Sequence, residues 1–469
     1  MPEHYDLICL GGGPAGQKAA IQAGKIGKKA AIVDSGSRLG GVSVHSGTVP
    51  SKTFQEISRF LHRLEQESSQ GLRIHAPSRF SIQQLLMRNR VVIHVEEDLA
   101  EEQVARNNVR ILSGRGKILS PHSVQVDLNS GGAEEISGDH ILIATGSRPR
   151  RVSDIPFEDQ LIYDSDGVMQ LRRLPGRLVV VGAGIIGCEY ATIFANLGVQ
   201  VDLFDIADAV IGWADREISR TLTDAMRLSG VRIHLNDTPV SYEKTSDGLR
   251  IKSQKGLLIE ADQALISKGR IGNLENLGLE SLGLEYSDRG IIKVNDVYQT
   301  GIPSIFAAGD VIGHPALSST GMYQGMYVAR YIFMGEKPQF TGSQLPVGIW
   351  TVPEVAMIGP TEEDLQKEGV EYGVGRSDFQ ENTRAQITGE TRGLLKLLFE
   401  LKTRKLLGVH IVSEKATELL ALGQAVVHLG GTVDYFINQI FNYPTLSGVY
   451  KSAALDAVSR HYQGLMAVK

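Results

Sequence analysis

The chain has 469 residues, of which 48 are basic and 53 acidic, so its formal net charge at pH 7 is -5. At about 150 residues per domain, the length predicts three domains. The balanced charge provides no basic surface for a polyanion, so we expect no nucleic-acid partner. Apolar residues make up 42% of the chain and charged residues 22%, which excludes intrinsic disorder and a collagen-like structure.

The cysteine count and the N-terminal sequence limit the setting in which the protein works. Two cysteines in 469 residues exclude a disulfide-built secreted scaffold. The start, MPEHYDLICL, has no basic segment before its apolar run, so we expect no signal peptide. No stretch reaches ~18 uninterrupted apolar residues, which predicts that no helix spans a membrane. The sequence therefore indicates a soluble, cytoplasmic protein.

The first predicted element is a strand that runs into a glycine-rich turn. Residues 5–34 read YDLICLGGGPAGQKAAIQAGKIGKKAAIVD, with glycines at Gly11, Gly13 and Gly16 and an acid at Asp34 after the second apolar run. In a dinucleotide-binding fingerprint, the first glycine makes the turn, the second lets the backbone approach a pyrophosphate, and the third lets helix and strand pack closely. The pyrophosphate then lies at the helix N-terminus, and the carboxylate accepts hydrogen bonds from a ribose.

Helices and strands alternate in the next part of the chain. Residues 51–66 and 81–107 have helical patterns, and residues 108–127 alternate in strand fashion around a predicted turn at GRGK. The segment HILIATGSRPR, residues 140–150, is a buried strand that leads into a glycine turn, then arginine and proline. We expect the chain to cross between two domains at this segment.

The plan of the first unit returns near the middle of the chain. Residues 178–205 read LVVVGAGIIGCEYATIFANLGVQVDLFD, with glycines at Gly182, Gly184 and Gly187 and an acid at Asp205. A single fingerprint of this type is a weak signal, and two ordinary tight turns are the alternative interpretation. Both copies follow a strand, open a helix and precede a carboxylate, which is the context that the fingerprint requires. We therefore predict two dinucleotide sites.

The remaining elements follow without another fingerprint. Residues 231–266 indicate short strands, residues 265–273 repeat the earlier strand-then-glycine exit, and residues 300–310 predict a third strand that ends in Gly-Asp. From about residue 346 strands and helices alternate, and no histidine or cysteine spacing is typical of a metal site. Two dinucleotides in one chain suggest electron transfer between a tightly held flavin and a diffusing nicotinamide.

Four segments then resemble one family. GGVSVHSGTVPSK, residues 40–52, resembles the flavin-adjacent segment of the dihydrolipoamide dehydrogenase and glutathione reductase family. ATG at 144–146, GRIGN at 269–273 and AAGD at 307–310 match the family's other motifs in the same order. The resemblance spans essentially the whole chain. It implies an α/β fold with two Rossmann-like dinucleotide-binding domains, for FAD and for NAD(P), and a C-terminal α+β dimerisation domain.

The resemblance also implies domain boundaries and an assembly. The FAD-binding domain would comprise residues 1–150 and 272–345, the NAD(P)-binding domain residues 151–271, and the dimerisation domain residues 346–469. FAD would be the bound cofactor, and NAD(H), NADP(H) or both would be substrates. A homodimer or a higher homo-oligomer is expected, because the C-terminal segment of this family reaches the flavin of the partner subunit.

The departures from the family pattern carry the functional information. Ser43 and Thr48 occupy the positions of the family's redox disulfide, and hydroxyls cannot form that relay. The two cysteines, Cys9 and Cys188, fall in the first strand and in the helix of the second unit, where we expect small buried packing residues. The chain is therefore expected not to be a disulfide reductase.

The C-terminal base of the family is missing as well. FNYPTLSGVY places Tyr443 in the position of the family's histidine and Gly448 in that of its glutamate. A phenol with a reference pKa near ~10 cannot replace such a base at neutral pH. FNYPT, IYDSD at 162–166 and VYQT at 297–300 resemble the soluble pyridine nucleotide transhydrogenases, which implies hydride transfer between nucleotides through FAD. Thiol-free quinone reductases share the YPxLSG pattern and remain an alternative, and a flavin-binding redox sensor or scaffold is another.

The resemblance implies four catalytic residues. Lys52 would lie near the flavin and pair with Glu189 beside the nicotinamide, although a solvated lysine at a helix start is the alternative. His45 either tunes the flavin or nicotinamide pocket or is a structural residue. Tyr443 either contacts a ligand at the partner's flavin or is a plain core tyrosine.

The fingerprints and the resemblance together give a set of cofactor-binding residues. They are Gly11, Gly13, Gly16, Asp34, Gly41, Thr48, Lys52, Gly116, Thr145, Gly146, Gly182, Gly184, Gly187, Glu189, Asp205, Gly269, Gly309 and Asp310. Asp310 would bind the ribityl chain of the flavin and Gly116 would lie on the adenine side. Asp205 favours NAD over NADP, because a carboxylate at the end of this strand accepts from the NAD ribose and repels a 2′-phosphate.

Overall fold

A computed structural model describes residues 2–69, 81–157 and 161–466. The strands in chain order are β1 (Glu3–Leu10), β2 (Ala30–Asp34), β3 (Arg110–Ser120), β4 (Ser123–Leu128), β5 (Ala133–Ile143), β6 (Ser147–Pro149), β7 (Ile162–Asp164), β8 (Arg177–Val181), β9 (Gln200–Asp205), β10 (Arg232–Leu235), β11 (Pro239–Lys244), β12 (Leu249–Ser253), β13 (Leu258–Ala261), β14 (Gln263–Ile266), β15 (Arg270–Gly272), β16 (Ile305–Ala307), β17 (Val347–Ile349), β18 (Glu354–Ile358), β19 (Tyr372–Asp378), β20 (Leu394–Glu400) and β21 (Leu406–Ser413).

The helices alternate with these strands. In chain order they are α1 (Pro14–Lys25), α2 (Gly41–His45), α3 (Thr48–Ser69), α4 (Ile82–Ala105), α5 (Ile185–Asn196), α6 (Arg216–Leu228), α7 (Leu279–Leu282), α8 (Ser318–Met334), α9 (Glu362–Glu368), α10 (Thr383–Thr388), α11 (Ala416–His428), α12 (Asp434–Asn438) and α13 (Gly448–Met466). The two helices predicted at 51–66 and 81–107 are confirmed as α3 and α4. Within the described residues no helix is both long and apolar enough to cross a membrane.

The first sheet joins strands that lie far apart in the sequence. Its parallel strands lie in the order β3-β2-β1-β5-β16. The short strand β4 pairs antiparallel with both β3 and β5. Residues 7–10 of β1 are at most 2% exposed, because helices cover one face and further apolar side chains cover the other. Such continuous apolar runs are typical of parallel strands buried on both faces.

The predicted turn at GRGK is wrong, because β3 continues through it and the chain reverses at residues 121–122. Gly114 and Gly116 pair with Leu128 and Val126 of β4. A Cβ at Gly114 would lie 2.5 Å from the carbonyl oxygen of Asp127. The glycines therefore serve close packing inside the strand rather than a reversal of the chain.

The second sheet is parallel throughout, in the order β10-β9-β8-β14-β7, with α5 and α6 among its helices. A small antiparallel sheet, β11-β12-β13, is inserted between β10 and β14 in the sequence. The two-stranded ribbon of β6 and β15 connects the first and second sheets. The predicted boundaries at residues 150 and 272 fall at this ribbon and stay predictions.

The third sheet is antiparallel, in the order β17-β18-β21-β20-β19, and packs against α11 and α13. Its core includes Phe379, Phe399, Phe436 and Tyr450, all at most 1% exposed. Lys396 of β20 is 1% exposed, and its Nζ lies 2.8 Å from a carboxylate oxygen of Asp215, the N-cap of α6. This buried ion pair fixes the third sheet against the second.

Candidate active site

The first glycine-rich turn opens at one point. Gly11 has a φ of +111°, which glycine adopts without strain, and a Cβ at Gly16 would lie only 1.9 Å from the carbonyl oxygen of Gly11. A Cβ at Gly13 would meet no atom within 4 Å. The turn therefore has no space for a side chain at its first and third glycines. It has open space at the second, where a pyrophosphate would approach the N-terminus of α1.

Asp34 at the end of β2 is fixed behind this turn. Its Oδ2 accepts a hydrogen bond from the backbone N–H of Gly12, and its Oδ1 accepts one from the N–H of Gly36 at 2.7 Å. A carboxylate has about four lone-pair sites, so Asp34 retains acceptor capacity for a ribose hydroxyl.

The second turn has the same geometry. Gly182 has a φ of +109°, a Cβ at Gly187 would lie 1.7 Å from the carbonyl oxygen of Gly182, and a Cβ at Gly184 would meet nothing within 4 Å. Asp205 accepts hydrogen bonds from the backbone N–H groups of Ala183 and Ala207. The two units are therefore equivalent down to their carboxylate contacts.

A cavity of about 870 Å³ lies between the first turn, the ribbon and α3. The predicted cofactor-binding residues that line it are Gly11, Gly13, Asp34, Gly41, Thr48, Lys52, Thr145, Gly146, Glu189, Gly309 and Asp310. The first unit, the flavin-adjacent segment and the ATG and AAGD motifs therefore meet in one place. Gly16, Gly182, Gly184, Gly187, Asp205, Gly269, Gly116, His45 and Tyr443 are outside this lining.

An ion pair forms part of the wall of this cavity. The Lys52 Nζ on α3 donates to both carboxylate oxygens of Glu189 on α5, at 2.8 and 2.6 Å. Glu189 is 4% exposed, and its Oε1 also accepts a hydrogen bond of 2.9 Å from the backbone N–H of Trp350. A buried carboxylate with these partners holds the ammonium at the cavity wall.

Hydroxyls occupy the place of the missing disulfide. The Ser318 Oγ, at the first residue of α8, lies 2.9 Å from the Ser43 Oγ and 2.9 Å from the Thr48 Oγ1. All three residues line the cavity. We call Ser43, Ser318 and Thr48 the hydroxyl row. It fills the space with groups that exchange hydrogen bonds and carry no redox chemistry.

The two cysteines take no part in the cavity. Cys9 and Cys188 are unpaired and 0% exposed, and they lie in different core clusters. Burial raises the pKa of both thiols well above the usual range, so neither is a thiolate at neutral pH. Their prediction as buried packing residues is confirmed.

Asp310 and Arg270 line the cavity on the side of the ribbon. The Ser147 Oγ donates to the Asp310 Oδ2 at 2.5 Å, and the Arg270 Nε donates to the same Ser147 Oγ at 2.8 Å. Burial raises the pKa of Asp310, although these polar neighbours oppose the shift. The Thr145 Oγ1 donates to the carbonyl of Asn273 at 2.7 Å, which ties the ATG motif to GRIGN.

His45 contacts a helix. Its Nε2 lies 3.2 Å from a carboxylate oxygen of Glu97 on α4, and the side chain is 36% exposed. Of the two interpretations, this geometry favours the structural one, because the contact ties α2 to α4.

Gly116 and Tyr443 also lie elsewhere. A Cβ at Gly116 would lie 2.8 Å from the Leu10 Cδ2 and 3.3 Å from the Val33 Cγ1, so packing inside the first sheet accounts for this glycine. Tyr443 is 81% exposed, and its hydroxyl lies 2.8 Å from the Thr383 Oγ1. The interpretation of Tyr443 as a core tyrosine is therefore wrong. Gly269 precedes β15 with a φ of +89°, where a Cβ would meet nothing within 4 Å.

The residues that surround the cavity fit FAD. The open second glycine, the acceptor carboxylate of Asp34 and the glycines at 41, 146 and 309 form a groove with little side-chain bulk, as a dinucleotide requires. In the part of the chain that the structure describes, no group of three or more His, Cys, Asp or Glu side chains is placed to hold a metal ion.

Ser318 and Trp350 were missed from the sequence. Both lie far along the chain from the residues that they contact, and neither belongs to a fingerprint. The only sequence signal for Ser318 is its place shortly after AAGD at the start of a helical pattern.

Comparisons with known proteins identify the family. Residues 5–325 match the model of the pyridine nucleotide-disulphide oxidoreductase family, and residues 345–454 match that family's dimerisation domain. The chain belongs to the pyridine nucleotide-disulphide oxidoreductase family. It is therefore an FAD-dependent oxidoreductase with pyridine nucleotides as substrates, and the dimerisation domain supports a homodimer.

Two curated relatives cover nearly the full chain. A soluble pyridine nucleotide transhydrogenase of Mycobacterium tuberculosis is 40% identical over 457 residues, 97% of each chain. One of Marinomonas sp. is 41% identical over 460 residues, which is 97% of this chain and 99% of the relative. These relatives carry the name of the subgroup that the sequence motifs resemble.

Solved structures support the fold. LpdA from Mycobacterium tuberculosis matches with a TM-score of 0.88 at 27% identity, covering 97% of this chain and 99% of that one. The flavoprotein disulfide reductase RclA from Escherichia coli has a TM-score of 0.87 at 24% identity over the same shares, which shows the fold alone. The predicted fold class is confirmed.

Proposed function

We propose that the protein is an FAD-dependent pyridine nucleotide transhydrogenase that does not use a disulfide. The observation that carries the proposal is the hydroxyl row, which stands where a disulfide reductase needs two thiols. The names of the two curated relatives support the same reaction. Electrons that enter from one nucleotide then leave to another nucleotide.

The residues that would hold FAD are those of the first unit and the cavity. The turn formed by Gly11, Gly13 and Gly16 would receive the pyrophosphate at its open second glycine. Asp34 would bind the ribose and Asp310 the ribityl chain. Gly41, Thr48, Thr145, Gly146 and Gly309 would line the rest of the groove. When bound there, FAD supplies the chemistry that accepts a hydride from one nicotinamide and returns it to another.

Lys52 and Glu189 act as one unit in this proposal. The ammonium places a positive charge at the cavity wall, where developing negative charge is stabilised in a poorly solvated site. Glu189 keeps the ammonium in place and is itself held by the backbone of residue 350. The protein thereby contributes orientation and electrostatics.

Asp205 makes NADH the preferred donor. The turn formed by Gly182, Gly184 and Gly187 would receive the pyrophosphate of the nicotinamide nucleotide at its open second glycine, and Asp205 would bind the adenosine ribose. The adjacent Ile206 is 74% exposed and supplies no positive charge for a 2′-phosphate. A carboxylate there therefore disfavours NADPH.

The proposal includes a homodimer in which Tyr443 meets the partner subunit. Ile440 is 96% exposed and Tyr443 81% exposed on the same segment of the dimerisation domain. Burying such side chains against a second copy is favourable by about 25 cal/mol per Å² of apolar surface. We also propose a cytoplasmic location, where both nucleotides are available and unpaired cysteines stay reduced.

Stopped-flow spectroscopy tests the function. The purified protein is reduced with NADH or NADPH while the flavin absorbance is followed, and it is then mixed with thio-NAD, a benzoquinone or air. Fast reoxidation by thio-NAD supports the transhydrogenase. Exclusive reoxidation by the quinone overturns it in favour of a quinone reductase. Reduction slower than roughly 1 per second with both donors would indicate a sensor, since typical enzymes turn over at ~1–1,000 per second.

A further inference from the structure

One aromatic side chain enters the cavity from the dimerisation domain. Trp350 directly follows β17 and lines the cavity. Its ring centroid lies 4.9 Å from the Lys52 Nζ, within the range of a cation–π contact. Its backbone N–H donates to the Glu189 Oε1 at 2.9 Å. One residue therefore contacts both members of the ion pair, through its ring and its backbone respectively.

The segment that carries Trp350 is fixed on both sides. The carbonyl of Thr351 accepts from the Gln55 Nε2 of α3 at 3.4 Å, and the N–H of Val352 donates to the Thr192 Oγ1 of α5 at 3.2 Å. These contacts tie the segment to the two helices that present the ion pair. Trp350 thus has a fixed backbone from which to orient another side chain.

The ring itself has little room to move. A Cβ at Gly348 would lie 3.1 Å from the Trp350 Cη2 and 3.0 Å from a Thr417 methyl carbon. A side chain at that position would displace the indole. Glycine at 348 therefore leaves the space that the ring occupies.

The orientation of the Lys52 ammonium depends on contacts in addition to the ion pair. Its side chain is 23% exposed, and beside Glu189 its Nζ donates only to the Ser51 Oγ, at 3.2 Å, among the described hydrogen bonds. An ammonium on a flexible four-carbon stem keeps one orientation only if several groups hold it. The indole face attracts the cation from a direction that carboxylate oxygens do not cover.

We propose that Trp350 is a positioning residue for Lys52, with the indole holding the ammonium and the backbone N–H holding its carboxylate partner. This inference rests on the role of Lys52 in the proposed function. It assigns to the dimerisation domain a part in the reaction within its own subunit, in addition to any residue that it lends to the partner.

Two variants separate the ring from the backbone. Trp350→Leu removes the aromatic face and keeps the N–H donor to Glu189, whereas Trp350→Phe keeps an aromatic face. Phe399→Leu is the matched control, because it removes a buried ring of the same domain whose side chain is 1% exposed and lies outside the cavity lining. It is expected to lower thermal stability and to leave Lys52 unaffected.

The first readout is chemical and independent of turnover. The FAD-loaded protein is treated with a trace of acetic anhydride, and acetylation of Lys52 is measured by mass spectrometry against the exposed Lys293. Trp350→Leu should raise the labelling of Lys52 by about two- to thirtyfold, the range that a cation–π contact implies. Trp350→Phe and Phe399→Leu should stay close to the unmodified protein. Unchanged labelling in Trp350→Leu would overturn the inference.

The second readout is the rate of flavin reduction at saturating NADH. Trp350→Leu should lower this rate about tenfold with an unchanged apparent dissociation constant for NADH, whereas Trp350→Phe should lower it less than about threefold. In the background Lys52→Met/Glu189→Gln, which leaves no unpaired buried charge, Trp350→Leu should have no further effect.

Two kinetic outcomes also overturn the assignment. If Trp350→Leu slows reduction equally in the Lys52→Met/Glu189→Gln background, the ring does not act through Lys52. If the effect falls on the apparent dissociation constant for NADH, the ring contacts the nucleotide itself. Neither measurement uses an acceptor, so a failure of thio-NAD reoxidation would reject the transhydrogenase without affecting this test.

Discussion

The two glycine-rich units share a turn and differ in what covers it. In both units, the residue after the first glycine accepts, through its carbonyl oxygen, a hydrogen bond of 2.9 Å from a backbone N–H that follows the acid in sequence. Gly12 accepts from Gly40, and Ala183 accepts from Ile211. Gly12 and Ala183 are separated by the same number of residues as Gly40 and Ile211, and as the first glycines of the two turns. The duplication therefore extends past the acid. Beyond them the two units diverge.

The divergence begins at a pair of glycines. A Cβ at Gly41 would lie 3.1 Å from the Gly13 Cα, so α2 rests directly on the first turn. A Cβ at the equivalent Gly212 would meet only atoms of Ala209 within 4 Å, among the described residues. The first unit is therefore covered by α2 and α3, whereas the second leads into α6, whose N-cap Asp215 is tied to the third sheet.

This difference separates binding from retention. The fingerprint specifies a turn that receives a pyrophosphate, and both units have it. A covering segment slows the exit of the ligand. The segment over the first unit also carries Lys52 and two members of the hydroxyl row, Ser43 and Thr48. One chain can thus hold one dinucleotide as a cofactor and exchange the other as a substrate.

The sharpest way to break the symmetry is to fill the open glycine of each turn. Gly13→Val should fold and lose FAD, because its Cβ points into the space of the pyrophosphate. Gly184→Val should retain FAD and lose NADH binding by at least ~100-fold, about 2.7 kcal/mol. The flavin-to-protein absorbance ratio and the NADH titration check both. Full FAD content in Gly13→Val would contradict the assignment of the first unit.

The two acids offer the next largest contrast. Asp205→Ala should lower the preference for NADH over NADPH about 30-fold, because it removes the charge that repels a 2′-phosphate. Asp34→Ala should weaken FAD binding and leave this preference unchanged. Steady-state kcat/KM with both donors is the measurement, and the exposed Asp208→Ala is the matched control. An unaltered preference in Asp205→Ala would refute the role of this carboxylate.

Acid should weaken the second unit before the first. Asp202 of β9 is 2% exposed; burial raises its pKa, but hydrogen bonds from Arg232 and His234 outweigh burial and lower the pKa to about 2. The folded pKa is below the usual 3.8, so this stability is present above about pH 4 and is lost as the pH falls toward 2. The loss is about 2 kcal/mol.

Hydrogen exchange between pH 5 and pH 2 measures this prediction. The amides of β8 and β9 should lose protection relative to those of β1 and β2, because the residue equivalent to Asp202 in the first unit is Ala31. Asp202→Asn should start less protected and show no such dependence on pH. Equal loss in both sheets would show that the buried acid does not decide the difference.

The smallest effect concerns the hydroxyl row, which only the first unit has. Ser318→Ala leaves the Ser43 and Thr48 hydroxyls without their shared partner and should cost about 1 kcal/mol of stability. In a chain of this size we expect the Tm to fall by roughly 2 °C. Ser319→Ala, at the next and exposed position of α8, is the matched control. An equal Tm shift in both variants would remove the row as the cause.

The sequence predicted the features that depend on local order. Glycine spacing, apolar runs and a following acid are read within a short stretch of chain, which is why both units and the helices α3 and α4 were found. The predicted turn at GRGK was wrong because each glycine there packs against residues distant in the sequence, Gly114 against Asp127 and Gly116 against Leu10. No local pattern reveals these contacts.

The cavity itself was only partly predictable. Lys52 and Glu189 were paired through the family resemblance, and the structure brings them together at 2.6 Å. Trp350 comes from a third part of the chain, far beyond Glu189 in sequence, and no spacing rule connects them. His45 lies within the flavin-adjacent segment, yet its ring contacts Glu97 of α4 and does not line the cavity.

The burial of both cysteines has a consequence for how the protein withstands chemical stress. Peroxide and other oxidants, and also alkylating reagents, react with exposed thiolates. Neither Cys9 nor Cys188 is exposed or ionised. Among the described residues, no cysteine lines the cavity. A cell whose glutathione pool has been oxidised would therefore still have this enzyme to rebalance its nicotinamide nucleotides.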